Sequence, residues 1–534
     1  MFLLPDFLVP LFGTNLTIWL ALVAVATVYL YRSVRKKQSY WQDRGVKCKK
    51  PTFLFGSMSV VRDKSFAEKI VDVYNEFPGE RYHGMYQFVL PTLLIKDPDL
   101  MKQVTVKEFD HFVNHRQIAD AAADPFWNKN LFASRDERWR DMRSTLSPSF
   151  TSNKMRIMYK LIEECALQFV EYFQNQSEDV VELQMKDAFT RYTNDVIATT
   201  AFGVKCDSLK DKTNKFYMMG KDASDLGGWK ILKFFAYGLS PTLARLFRVK
   251  VISPAVSNYF SKIIEETVQA RKEKHIVRPD MIHLLLEAQK GRQHLDEEIK
   301  VSEGFSSVSE SEVTKNRRKQ EITLEDITAQ AFVFFLAGFK TVSTLLTFAF
   351  YELAINQDVQ NRLREEIQSV SEELTYEALL SMKYLDMVVS ETLRKWPASV
   401  LTDREVSKEF TIQPTKPGEK PLFLEKGIVC LLPIFAIHRD PRFYPEPEKF
   451  DPERFNNENK HKINPTMYMP FGAGPRNCIG SRFALLEAKL LMFHLLKKFQ
   501  VVTVGKTPVP LVLDKVQINL DAEGGMWLGL KKIK

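Results

Sequence analysis

The chain of 534 residues is 45% hydrophobic and 26% charged, the composition of an ordinary globular protein. Its formal net charge of +9 is spread along the chain rather than gathered in a block, which points to acidic protein partners and anionic lipid and away from nucleic acid. The five cysteines (Cys48, Cys165, Cys206, Cys430, Cys478) have no Cys-x-x-Cys or paired spacing, which argues against zinc and disulfide frameworks and for a reducing compartment.

From Phe7 to Tyr31 no residue is charged, and Leu16 to Leu30 is dense in Leu, Ala and Val. A helix there is long enough to cross a bilayer core of about 30 Å. Arg32, Arg35, Lys36 and Lys37 follow and hold that end in the cytosol. Ala24-Val25-Ala26 resembles a signal-peptidase site, but the segment before the apolar run carries only Asp6, so a retained signal-anchor over 1–31 is expected. A basic linker over 32–50, closed by Pro51, leads into one large globular domain over 51–534.

Tyr82 to Leu90 and Thr92 to Ile95, separated by Pro91, predict a hairpin. From about Met155 to Glu287 amphipathic helical patterns succeed one another, among them a buried helix from Asp195 ending at Gly203. Trp229 to Val251 interleaves aromatic and aliphatic residues with Lys and Arg, and Gln289 to Gln320 is polar without periodicity, a mobile surface loop. Thr323-Leu-Glu-Asp326 has the form of a capping box opening a helix to about Asn356, roughly 50 Å long. Glu391 and Arg394 share one face of an otherwise apolar helix that Pro397 ends, and a charged pair on a buried helix needs partners. Past Val501, alternating apolar residues predict short strands at Val509–Leu513, Val516–Leu520 and Met526–Leu530.

Phe471-Gly-Ala-Gly-Pro-Arg-Asn-Cys478-Ile-Gly480 sets one cysteine in a glycine-punctuated loop, with a helix-forming run from Ser481 to Lys489 directly behind it. A thiolate there meets the free N–H groups and positive dipole end of that helix, which favours ionisation. Gly474 and Gly480 lack a Cβ and let the backbone pass close to a flat ligand. Arg476 stands ready for an anionic group on that ligand, and Phe471 offers an aromatic wall. The set fits a thiolate ligating haem iron; the bland alternative is a buried free cysteine in a turn.

This loop matches, position for position, the haem-binding pattern Phe-x-x-Gly-x-Arg-x-Cys-x-Gly of the cytochrome P450 family. The resemblance runs over essentially the whole chain, and most to insect microsomal members allied with vertebrate family 3. It implies a fold that is mainly α with small β-sheets, haem b as cofactor, and Cys478 as the iron's proximal ligand. Trp139-Arg-Asp-Met-Arg143 resembles the family's Trp-x-x-x-Arg helix, so Trp139, Arg143, Arg404 and Arg476 are implied partners of the haem propionates. His115 and Arg116 are weaker candidates for the same role, and none of the nine histidines is needed as a haem ligand. Arg454, in Pro452-Glu-Arg-Phe455, is implied to complete a structural triad with Glu391 and Arg394.

Ala337-Gly338-Phe339-Lys340-Thr341 resembles the family's oxygen-activation segment at four of five positions. Gly338 is expected to loosen the helix and make room for dioxygen, and Thr341 to relay protons. The family carries Asp or Glu where this chain has Lys340. Three readings stand open: a lysine turned to solvent or a carbonyl with proton supply through water, reduced coupling, or a different haem-thiolate chemistry. By the same resemblance Phe126, Phe132, Val333, Leu336, Ser399, Leu401 and Ile518 line the substrate pocket, and Trp229–Val251 forms its lid and dips into the membrane.

The activity implied is NADPH- and O2-dependent oxygenation of lipophilic foreign compounds such as insecticides and plant toxins. NADPH–cytochrome P450 reductase is the implied electron donor, with cytochrome b5 as an optional second one. The implied location is the endoplasmic reticulum membrane, catalytic domain on the cytosolic face. A haem-thiolate isomerase or lyase working without reductase, and a non-catalytic haem protein, are the rival readings.

Overall fold

Thr323 starts the helix around which the rest of the molecule is arranged. Its hydroxyl accepts the Asp326 N–H at 3.2 Å, and the Asp326 carboxylate accepts the Thr323 N–H at 3.1 Å, so both halves of the capping box form. The helix runs unbroken over Leu324–Ile355, 32 residues. It is apolar enough to cross a bilayer, but 61% of its apolar window is buried in protein, which makes it a core helix. These statements come from a computed structural model that describes residues 9–57, 63–119, 124–225, 236, 241–278, 280–289, 304–307, 322–370 and 373–533.

Helices Met185–Ile197, Lys383–Lys395 and Ser481–Lys498 pack on this central helix, and Ser152–Gln174 packs on the first and last of these. Their buried faces interlock through aromatic rings, such as Phe189 on Phe350 at 5.1 Å and Phe348 stacked on Trp396 at 4.6 Å. The predicted buried segment from Asp195 is the end of helix Met185–Ile197, followed by a wider π-turn over Ala198–Phe202. Gly203 ends it at φ +70°, where a Cβ would collide with the Arg271 guanidinium.

Among the described residues nine strands lie beside the helices: β1 Tyr82–Gln87, β2 Leu90–Ile95, β3 Val180–Gln184, β4 Thr402–Glu405, β5 Phe410–Ile412, β6 Leu422–Leu424, β7 Val429–Leu432, β8 Phe499–Val502 and β9 Trp527–Lys532. They form sheets in the orders β1-β2-β7-β4, β3-β9-β8 and β5-β6. The fold is therefore mainly helical with small sheets. The β1–β2 hairpin exists, but it turns at Phe88-Val89, with Gln87 opposite Leu90. Pro91 sits inside β2, one residue before pairing to β7 begins at Thr92, where the missing N–H is tolerated. Of the three predicted C-terminal strands only the last forms, as β9. Pro510 removes a donor from the first, and Pro508 stands directly before it. Asp514 draws the N–H groups of Val516 (2.7 Å) and Gln517 (2.8 Å) into a turn at the start of the second.

The N-terminal helix spans Val9–Gln38, past the expected end of the anchor. Its side chains from Leu16 to Tyr31 are exposed, Trp19 by 66% and Val25 by 68%, whereas Val34 is buried. The expected basic linker is not free chain: it continues that helix and then drives Trp41 into the first sheet. There the Trp41 ring donates to the Met85 carbonyl at 3.0 Å, over Gly84, whose missing Cβ makes the room. Residues 229–235 and 237–240 of Trp229–Val251 and most of Gln289–Gln320 lie outside the described residues; in the former, Pro241–Leu246 is a short helix. Gly304–Ser307 of the latter are described, and they are docked on the protein rather than standing off as surface loop.

Candidate active site

Cys478 is presented by a tight loop. Its N–H donates to the Phe471 carbonyl at 2.8 Å, and Gly472 (φ +75°) and Gly474 (φ +68°) supply the turns that L-residues rarely adopt. The loop hands over through Gly480 to helix Ser481–Lys498, so the sulfur lies at that helix's N-terminal end. Gly474 differs from its expected use. A Cβ there would strike the Thr105 carbonyl, so the close approach it permits is to the protein's own backbone, whereas Gly472 and Gly480 line the cavity.

Three arginines tie this loop to the rest of the protein: Arg143 and Arg404 reach it from outside, and Arg476 reaches out from within it. Arg143, on helix Asp136–Leu146, donates to the Asn477 carbonyl and to Asn477 Oδ1, both at 2.7 Å. Arg476 donates to the carbonyls of Val113 (2.8 Å), Leu131 (3.3 Å), Phe132 (3.4 Å) and Ser134 (2.6 Å), and lies 4.2 Å over the Trp139 ring. Arg404, on β4, donates to the carbonyls of Asp403 (2.7 Å) and Ala473 (3.0 Å).

The surroundings of these arginines call for an anion. Burial first, then the charges of Arg404, Arg143 and Arg135, push the Arg476 pKa well below its ordinary value, against the pull of Asp403. Burial brings Arg404 down to about 10, and its buried Nε meets no hydrogen-bond partner among the described residues. Burial also lowers His115 to about 4, despite its bond to Asp403 at 3.2 Å, so the ring is neutral at pH 7 and adds no cation. Burial works against the Asp403 carboxylate too, but the His115 bond, the Arg116 N–H and Arg404 hold it below the usual range. Paired carboxylates on a flat ligand would meet this buried positive charge, so the residues fit haem. The Arg116 side chain is turned instead to Gln87.

A cavity of about 620 Å³ joins this loop to the central helix. Cys478, Phe471, Arg476, Gly480, Trp139 and Arg143 contribute to its wall, and so do Ala337, Gly338 and Thr341. Thr341 is exposed to it, with its hydroxyl donating to the Ala337 carbonyl at 2.6 Å. The helix is not loosened at Gly338. A Cβ there would meet Ile197 at 2.5 and 2.7 Å, so this glycine lets helix Met185–Ile197 approach. Of the expected pocket residues Phe132, Val333, Leu336 and Ser399 line the cavity. Phe126 lies outside the wall, packed on Phe332 at 4.7 Å. Leu401 and Ile518 are also outside: Leu401 packs on the core and its carbonyl takes the Ser399 hydroxyl, and Asn519, not Ile518, reaches the wall from the irregular C-terminal segment. Sequence reasoning missed Phe150, Ile197, Thr200, Ala201 and Met281, which come from distant helices and carry no motif.

Lys340 turns away from the cavity. Its ammonium donates at 2.8 Å to the carbonyl of Ser224, the last residue of helix Lys215–Ser224, where the negative dipole end favours a cation. Lys340→Glu should set like charge against that helix end and cost about 1 kcal/mol of stability. It also returns an acid beside Thr341, so product formed per NADPH should rise and peroxide leakage fall. Thr341→Ala should shift the same ratio the other way. Lys340→Met separates the two effects, losing the helix-end contact without gaining an acid. Thermal melts alongside NADPH, peroxide and product assays decide it. If Lys340→Glu couples less well than the parent, the lysine serves this protein's own proton supply.

The Glu391–Arg394 pair lies apart from the cavity on helix Lys383–Lys395. Two bonds of 2.7 and 2.8 Å join the side chains, and Arg454 Nε stands 3.5 Å from the same carboxylate. Arg394 also donates to the His438 carbonyl at 2.9 Å, and His438 Nε2 accepts the Met469 N–H at 3.1 Å. Met469 lies two residues before Phe471, so this network reaches the chain that enters the cysteine loop.

A family model described as Cytochrome P450 matches residues 46–528. Cytochrome P450 9e2 of Blattella germanica is 43% identical, over 97% of this chain and 98% of its own length. Probable cytochrome P450 9f2 of Drosophila melanogaster is 41% identical, over 96% and 98%. Probable cytochrome P450 6a14 of Drosophila melanogaster is 36% identical, over 96% and 99%.

Proposed function

The chain belongs to the cytochrome P450 family, a haem-thiolate monooxygenase, and on that premise we propose that it oxygenates lipophilic foreign compounds such as insecticides and plant toxins. NADPH–cytochrome P450 reductase supplies the electrons, with cytochrome b5 as an optional second donor. The observation that carries the reading is an apolar-walled cavity with Cys478 and Thr341 both in its wall. Bound haem supplies the iron at which dioxygen is reduced and one oxygen atom passes to the substrate. Cys478 would hold that iron and lend it electron density. Arg143, Arg404, Arg476 and Trp139 would hold the propionates, and Phe471 and Gly480 would contact the ring. The Thr341 hydroxyl, within reach of the Ala337 carbonyl, holds or passes a proton. Phe132, Val333 and Leu336 give an apolar substrate its contact surface.

The exposed apolar stretch from Leu16 to Tyr31 suits a bilayer, and the basic residues after it suit the cytosolic side, so the proposed location is the endoplasmic reticulum membrane. Removal of residues 1–32 should give a protein that still binds haem and is released from membranes far more readily by high salt or mild detergent. The function is tested by incubating the full chain with NADPH, reductase and a panel of apolar compounds. Oxygenated product that depends on NADPH and reductase is expected. Product formed from hydroperoxides alone would favour an isomerase or lyase.

A further inference from the structure

Gly304-Phe305-Ser306, in the middle of a polar stretch without periodicity, occupies a built socket. The Phe305 N–H donates to Asp386 Oδ2 at 2.8 Å, while the other Asp386 oxygen takes the ammonium of fully buried Lys489 at 2.7 Å. Ser306, 3% exposed, sits between Ser390 Oγ at 2.9 Å and the Tyr468 hydroxyl at 2.6 Å, and Tyr468 donates to the Ser390 carbonyl at 3.0 Å. Donors and acceptors close into one ring: Ser390 hydroxyl to Ser306, Ser306 to Tyr468, Tyr468 to the Ser390 carbonyl. The Phe305 ring packs on Phe455 at 5.0 Å and on Tyr468 at 5.2 Å. Position 304 admits only glycine, since φ is +89° and a Cβ would collide with the Asp386 carboxylate.

The socket belongs to the support of the cysteine loop. Tyr468 stacks on His438 at 5.6 Å, His438 receives the Met469 N–H, and Phe471 receives the Cys478 N–H. Ser390 adjoins Glu391 of the buried ion pair. We infer that this socket is a recognition site for a Gly-Phe-Ser tripeptide, filled by the chain's own residues 304–306, and that docking of this clip positions the loop carrying Cys478. Phe305 and Ser306 act as positioning residues through Tyr468.

The test uses the full haem-loaded protein and its Phe305→Ala and Gly304→Ala variants. Amide exchange within 468–478 and 383–395 should accelerate on the order of tenfold, as expected when a partly buried ring is lost from a local cooperative unit. The reduced carbon-monoxide complex should lose its thiolate-type band faster by a similar factor. A synthetic peptide with the sequence of residues 301–310, at roughly 1–10 mM to match a tethered segment, should restore protection to the Phe305→Ala protein. The same peptide with alanine for phenylalanine should not. Faster exchange confined to 304–307, a thiolate band decaying at the parent rate, or no rescue by the peptide would each overturn the inference. The exchange arm stands whatever substrate the enzyme takes.

Discussion

Cys478→Ser is expected to abolish the red-shifted carbon-monoxide band of the reduced protein and bring monooxygenase turnover to background, while far-UV circular dichroism stays near that of the parent. A hydroxyl does not replace a thiolate as an electron-donating iron ligand. The remaining cysteines are poor substitutes. Burial pushes the Cys430 and Cys206 thiols up to about 12 and raises Cys165 and Cys48, so these side chains stay protonated at pH 7. Cys430 faces Arg404 across β7 and β4, inside the sheet, and does not line the cavity that holds Cys478. Alanine at Cys48, Cys165, Cys206 or Cys430 should therefore cost at most a modest amount of stability and leave the band intact. A Cys478 variant that keeps the band would refute the assignment.

Glu391→Ala or Arg394→Ala should each cost about 3–5 kcal/mol, because either leaves an uncompensated charge in the core. Both side chains are fully buried. Burial alone raises the Glu391 pKa, and Arg394, the Asp451 N–H (2.9 Å) and Arg454 oppose it. Most of the single-variant protein should fail to accumulate in haem-loaded form. Replacing both, as in Glu391→Leu with Arg394→Met, should be milder than the sum of the single changes, since no charge is stranded. Yield of haem-loaded protein and melting temperature measure both. If the double variant is as damaged as the sum predicts, the pair is not one coupled unit. Its hydrogen bonds to the carbonyls of His438 and Lys449 would then carry the effect instead.

What was legible in the sequence was local. The Thr323 capping box, the end of a helix at Gly203, the charged pair before Pro397 and the cysteine loop are decided by residues within a few positions of one another. A cap, a left-handed glycine or an i,i+3 pair leaves its mark at short range. The hairpin was legible in kind but not in register, because Pro91 signals a turn locally and the sheet can place it where no second strand pairs. The apolar alternation over 509–520 misled in the same way. Prolines and an Asp514-centred turn outweighed periodicity there.

Only the tertiary structure decided what lies across from each motif. Gly474 and Gly338 read as room for a ligand or dioxygen, but their missing Cβ atoms face Thr105 and Ile197, partners far away in the chain. Lys340 read as a missing acid, and it is bound to the carbonyl of the last residue of another helix, where the negative dipole end favours a cation. Arg404 and Arg476 stand out as anion-seeking only once burial and mutual repulsion can be seen. By itself the sequence determined the family, the candidate iron ligand and the membrane-compatible N-terminus, since motif spacing and hydropathy need no partner. The cavity wall and the docked Gly304–Ser306 segment needed the fold, because van der Waals contacts and hydrogen bonds between distant segments leave no periodic trace in either one.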